Sequence, residues 1–175
     1  MEKVNGVWQG ACIVFREGFR CGLIPALQTP DGTVYVGGGD RGWGSKGGKP
    51  YTLERVRWTG KVPFEILDVH AKSDGFELSF TEPVDPATAS EITSYKSEAW
   101  TYIFQSSYGS PEVDKVLPAV EKATVSADGK SVRLKLSPLT KGHVHLIELP
   151  GVKSKSGAPL LHSKLYYTLN EIPAA

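Results

Sequence analysis

The chain has four histidines among its 175 residues. Two of them, His143 and His145, stand at i and i+2 in GHVHLIEL. On a strand that spacing sends both imidazoles to one side. Two ring nitrogens on one face begin a copper or zinc centre, which takes nitrogen ligands at roughly 2.0–2.1 Å. His162, just before the run YYTL, is the third donor such a centre would draw on. The competing reading is a polar pair near the end of a strand, each ring hydrogen-bonded to its neighbours.

Aromatic rings supply a second kind of chemistry. Flat rings with polar edges stack on sugar faces and also pack protein interfaces. The candidate ligand-binding set is Trp43 and Arg41 in the loop GGGDRGWGSKGGKP, with Tyr51, Trp100, Tyr102 and Tyr108. Packing in a core is the alternative for each ring. The same loop fits neither GxGxxG nor GxxxxGK[ST] and precedes no helical pattern, so it is not a phosphate cradle. Glu82 with Asp85, and Glu112 with Asp114, are close in sequence, but turn and capping roles account for them better than paired glycosidase carboxylates. No serine sits in a nucleophile elbow. No residue is therefore assigned a catalytic role.

These side chains need elements to hold them. Val132, Leu134 and Leu136 alternate with Arg133 and Lys135, the period of a strand with one dry face and one wet face. Ala127-Asp128-Gly129-Lys130 makes a tight turn before it, and His143–Leu149 returns as a second strand. In that strand His145, Ile147 and Leu149 share one face and Val144, Leu146 and Glu148 the other. Apolar residues on both faces suggest a cover on the outer one. Phe76, Leu78 and Phe80 alternate in a further strand. Asp85 is placed to cap a short helical turn through Ala87-Thr88-Ala89. Trp100, Tyr102 and Phe104 read as a strand aromatic on one face, and Ser107–Lys115 as a polar loop.

Nearer the N-terminus, Val7–Phe15, Cys21–Gln28, Thr33–Val36 and Tyr51–Trp58 read as four strands of one small sheet about the size of a propeller blade. The exposed edges of such a sheet predict a homodimer through Val7–Phe15. Cys12 and Cys21 flank a segment able to fold back as a hairpin. They are either bridged or a pair of buried free thiols. Gly60-Lys61-Val62-Pro63 marks a boundary.

Nineteen glycines and twelve prolines with few long helical patterns favour an all-β chain. Twenty basic residues against nineteen acidic ones lack the basic excess of a nucleic-acid binder. No apolar run approaches the roughly 20 residues of a membrane span. The first residues, MEKVN, have no apolar stretch of the kind a secretion signal needs.

PDGTVYVGGGDRGW followed by YTLERVRWTGKVPFEI resembles the closing propeller blade of large secreted bacterial proteins related to sorbosone and glucose dehydrogenases, of planctomycete and verrucomicrobial type. In that family the propeller carries the cofactor and sugar chemistry. At most one blade is covered here, so the resemblance assigns dehydrogenase activity to no residue. FTEPVDPATA, then SADGKSVRLKL, then GVKSKSGAPL, then YYTL resemble the bacterial Ig-like domains of S-layer and other secreted proteins. That resemblance implies a two-sheet sandwich.

The expected architecture is a blade-like antiparallel sheet over residues 1–62 packed on an Ig-like antiparallel β-sandwich over 63–175, with an aromatic insertion at 92–120. The expected function is a non-catalytic accessory or binding domain of a secreted bacterial protein, extracellular or periplasmic. Carbohydrate or a partner protein is its ligand, and neither nucleic acid nor a membrane span is involved. The rival is a copper- or zinc-dependent redox or hydrolytic protein centred on His143 and His145. In the leading reading the domain has no cofactor.

Overall fold

Alternating short apolar runs and glycine-rich turns give thirteen strands and one helical turn of α type among the described residues. In the computed structural model, which describes residues 1–40 and 47–174, these are β1 (Glu2–Val4), β2 (Val7–Ile13), β3 (Leu23–Gln28), β4 (Val34–Gly39), β5 (Tyr51–Val56), β6 (Ile66–Lys72), β7 (Gly75–Phe80) and α1 (Pro86–Ala89). There follow β8 (Lys96–Tyr102), β9 (Glu112–Val116), β10 (Ala119–Val125), β11 (Ser131–Ser137), β12 (His143–Glu148) and β13 (Lys164–Leu169). The chain is all-β.

Two compact units are formed, one by Met1–Val14 with the chain from Pro63 onward, the other by Phe15–Val62. The larger unit is a sandwich. Its six-stranded sheet runs β1-β2-β13-β12-β8-β9 and its four-stranded sheet runs β10-β11-β7-β6, with antiparallel pairing throughout. The alternation read from sequence sets the inner faces. Phe76, Leu78 and Phe80 of β7 lie beside Val132, Leu134 and Leu136 of β11 on the inner face of one sheet, and Ile147, Leu165, Tyr167 and Leu169 line the other, all buried. Each large apolar side chain so buried contributes roughly 1.5–3 kcal/mol. The turn between β10 and β11 closes through Gly129 N–H to the Ser126 carbonyl at 2.9 Å, with Gly129 at φ 71°. Asp85 caps α1 by accepting from the Ala87 N–H at 3.1 Å, and Pro86 occupies the first helical position.

The smaller unit holds the antiparallel sheet β3-β4-β5. It has three strands rather than the four expected, because Val7–Ile13 leaves it. β2 pairs with β13 over Gly10–Ile13 and with β1 over Val7–Gln9. Its apolar run finds a larger buried surface there, where Ala11 and Ile13 pack against the sandwich core. Each stretch of β2 is thus paired along one side within the chain, Val7–Gln9 by β1 and Gly10–Ile13 by β13.

Residues 92–120, expected as an aromatic insertion within the sandwich, supply strands to it: β8 pairs with β12 and β9 extends the same sheet. Glu112–Val116, expected within a polar loop, is an edge strand whose wet surroundings explain its charged sequence. β8 stops at Tyr102, and Phe104 lies beyond it, fully exposed. Cys12, exposed on β2, and Cys21, buried in the smaller unit, are both free thiols.

Candidate binding surface

The three-stranded sheet has two unlike faces, and its register decides which residues share each. Leu27, Tyr35 and Arg55 stand opposite one another across the three strands, as do Gly37 with Leu53 and Gly39 with Tyr51. Side chains two apart on a strand point the same way, so Tyr35, Gly37 and Gly39 share a face with Tyr51, Leu53, Arg55 and Leu27. On the reverse face, Val36 and Cys21 are buried. There Glu54 accepts from the Arg20 N–H at 2.8 Å and from the Thr52 hydroxyl at 3.2 Å. A side chain at Gly38 would collide with the Gly22 carbonyl and meet the Cys21 sulfur, so glycine there is what lets the strand lie so close to its neighbours.

The first face is open. Tyr51 is 80 % exposed, Leu53 78 %, Leu27 65 % and Tyr35 37 %. Gly37 and Gly39 add no side chain to this face, and the Pro25 ring lies against Gly37, 3.3 Å from where a Cβ would stand. Rings and leucines on a flat polar backbone are the chemistry of a stacking or docking surface.

The remaining sequence-nominated residues fall elsewhere. Trp43 and Arg41 lie outside the described residues. Trp100 is no part of an open platform: it is 5 % exposed, packed edge-on against Tyr166 at 6.3 Å, with the Lys115 ammonium 5.9 Å from its ring centre. Tyr102, half-exposed at the end of β8, and Tyr108, fully exposed in the loop after it, belong to the sandwich unit. Tyr51 is the one member of the set on the open sheet face. Tyr35, Leu53 and Leu27 were not nominated. Their signal was the odd-position series Tyr35, Gly37, Gly39 beside Tyr51, Leu53, Arg55, hidden by the glycine count of the loop that follows.

The histidines are held apart. His143 and His145 do share the inner face of β12, as their spacing predicted, and that face is the core. His145 is fully buried beside Phe76, ring centres 5.4 Å apart. Its Nε2 donates to the Thr140 carbonyl at 3.0 Å, and its Nδ1 has no partner. Burial pushes its pKa down from 6.5; the Thr140 carbonyl pulls the other way and the His143 ring adds to the fall. His143 reaches Asp114, Nε2 to carboxylate 3.2 Å. His162 pairs with Glu65 at 2.6 Å. Among the described residues no group of three or more His, Cys, Asp or Glu is placed to hold a metal ion.

The carboxylates nominated for turn roles are engaged locally. Asp85 caps α1, and Glu112 pairs with Lys115 at 2.6 Å. A groove of about 390 Å³ on the sandwich is lined by Asp74, Lys122, Thr124, Arg133 and Lys135. Its cations Arg133 and Lys135 are already paired with Asp74 and Glu121. No helix among the described residues is long and apolar enough to cross a membrane.

No family model matches the chain, and no curated protein does. Among solved structures it is similar to domains 1–6 of the surface layer protein SbsC, with TM-score 0.47, 20 % identity, and coverage of 66 % of this chain and 15 % of that one. The N-terminal part of the bacterial S-layer protein SbsC gives TM-score 0.47 and 20 % identity over 65 % of this chain and 25 % of that one. The chain thus matches a quarter or less of the length of those proteins.

Proposed function

We propose that the chain is a non-catalytic binding module of a secreted bacterial protein and that its ligand docks on the open face of the three-stranded sheet. The observation that carries this reading is the exposure of Tyr51 and Leu53 beside Tyr35 and Leu27 on a face to which Gly37 and Gly39 add no side chain. Carbohydrate is the ligand class that the two tyrosine rings suit, with Arg55 on the same face as a donor to ring hydroxyls. The adjoining leucines suit a partner protein, the second reading. An extracellular or periplasmic site, and a parent of the sorbosone and glucose dehydrogenase type, rest on the sequence motifs quoted above. Propeller blades encoded upstream in the same reading frame would support that parentage.

The metal-dependent alternative would need His143, His145 and His162 to converge. Two face the sandwich core and the third is held by Glu65, so the geometry favours the binding module.

Retention on a panel of insoluble polysaccharides, with Tyr51→Ala and Tyr35→Ala as variants, tests the proposal. Each ring is expected to be worth about two- to tenfold in affinity, in line with roughly 0.5–1.5 kcal/mol for a ring contact beyond its burial. Binding unchanged in both variants removes the face from the argument. Loss of a protein partner with no polysaccharide retention selects the second reading.

A further inference from the structure

Among the described residues six strands lie at the edges of the three sheets, and five are bulged or too short to add another strand readily. β1 is three residues long and carries Lys3. β9 takes an extra residue between its pairs with Ala99 and Thr101, with Asp114 at φ 55°. β10 bulges between Val120 and Lys122. β6 bulges between Ile66 and Asp68, and its Ala71 N–H is taken by the Glu2 carboxylate at 2.7 Å. β3 has a bulge between Leu23 and Ala26 and contains Pro25. Bulges, prolines, shortness and charge are the devices that keep sheet edges apart.

β5 has neither bulge nor proline. It pairs with β4 over six residues without a register shift. Asp40 N–H donates to the Pro50 carbonyl at 3.0 Å, so even-numbered residues aim their backbone groups at β4. Tyr51, Leu53 and Arg55 therefore turn N–H and C=O to the other side, where no strand pairs among the described residues.

We infer that a second copy of this chain adds there, β5 against β5, antiparallel about a two-fold axis through Leu53. Charge complementarity selects that register. It sets Leu53 opposite the second copy's Leu53, Tyr51 opposite Arg55, where a cation meets a ring, and Thr52 opposite Glu54, where a hydroxyl meets a carboxylate. Moving the axis to Glu54 opposes two carboxylates. Moving it to Thr52 runs Glu54 and Arg55 past the end of the opposing strand, opposite Pro50 and Lys49. The one like-charged pair of the Leu53 register, Lys49 with Arg57, falls outside β5. A two-fold axis perpendicular to the sheet keeps faces in common, so the two three-stranded sheets become one of six with a continuous open face. The contact is self-complementary, as a closed dimer requires. Its backbone bonds lie along the strand edge, while its Tyr51–Arg55 contacts use side chains of the open face, so a ligand held there competes with those contacts.

Sedimentation equilibrium of the full chain over a concentration series is expected to show a monomer–dimer equilibrium. Leu53→Pro removes an outward N–H and spares the β4 ladder, so the dimer is lost. Leu53→Lys opposes two cations across the axis without touching the backbone and gives the same loss, which covers the case in which the proline variant does not fold. In a Cys12→Ser background, Leu53→Cys oxidises to a covalent dimer, because hydrogen-bonded opposite residues stand about 5.5 Å apart at Cα, within disulfide reach. Thr52→Cys, opposite Glu54, does not. A monomer at every concentration overturns the inference. So does a dimer that survives both Leu53→Pro and Leu53→Lys, or one that cross-links equally through position 52.

Discussion

His145 carries its ring into the core of the sandwich, and burial is the largest cause of its lowered pKa. Its native pKa lies below the ordinary 6.5. Between the two values the unfolded chain binds a proton that the folded chain refuses, so stability rises with pH through that window and is lost as pH falls below 6.5. The thermal midpoint is expected to drop over that interval. His145→Phe, which keeps a ring against Phe76 and cannot take up a proton, should flatten the slope. A slope unchanged in the variant would assign the titration to another group. The HVH spacing correctly put His143 and His145 on one face. It did not say which face was inner, because Val144 and Leu146 are as apolar as Ile147 and Leu149. That choice is made by the partners across the sandwich, which a local pattern does not contain. Trp100 was misjudged for the same reason: a ring on an alternating strand looks like a platform until Tyr166 and Lys115 are seen to cover it.

β1 is too short to hold itself, and its position rests on one carboxylate. Glu2 accepts from the Ala71 N–H of β6 at 2.7 Å and from the buried Tyr167 hydroxyl of β13, and meets His70 Nδ1 at 3.1 Å. It therefore ties the six-stranded sheet to the edge of the four-stranded one. Burial works against its charge, yet the bonds from Tyr167, Ala71 and His70 outweigh burial and hold the pKa below the ordinary 4.5. The stabilisation is present above pH 4.5 and is lost as pH falls through the native value. Glu2→Gln is expected to cost about 1–3 kcal/mol in urea unfolding at neutral pH, the worth of hydrogen bonds to a charged group. The difference from the parent should shrink below pH 4.5. A neutral-pH loss that persists undiminished in acid would mean that Glu2 acts through packing. Strands β7 and β11 were legible because each alternates against a wet face. β2 was recognised as a strand but assigned to the wrong sheet. VWQGACI fits the edge of either sheet, and its partner β13 is more than 150 residues away in sequence.

The two units are unequally supported. The sandwich core draws on β6, β7, β10, β11, β12 and β13, while among the described apolar residues of 15–62 only Cys21 and Val36 are buried. A three-stranded sheet with so little apolar surface removed from water opens at low free-energy cost. The all-β class was legible from glycine, proline and period-two alternation, but this inequality was not. It depends on losing β2 to the sandwich, which takes from the smaller sheet the strand expected to complete it. Amide hydrogen exchange should therefore proceed much faster in β4 than in β11 and β12, whose ladder lies over fully buried leucines. Pairing with a second copy adds hydrogen bonds only along the outward positions of β5, so raising the protein concentration should slow the Tyr51, Leu53 and Arg55 amides selectively. A ligand on the open face, by contrast, should slow exchange across the whole sheet by stabilising the folded form of the unit. Equal protection of β4 and β11 at low concentration would show that the smaller unit draws stability from something other than its own core.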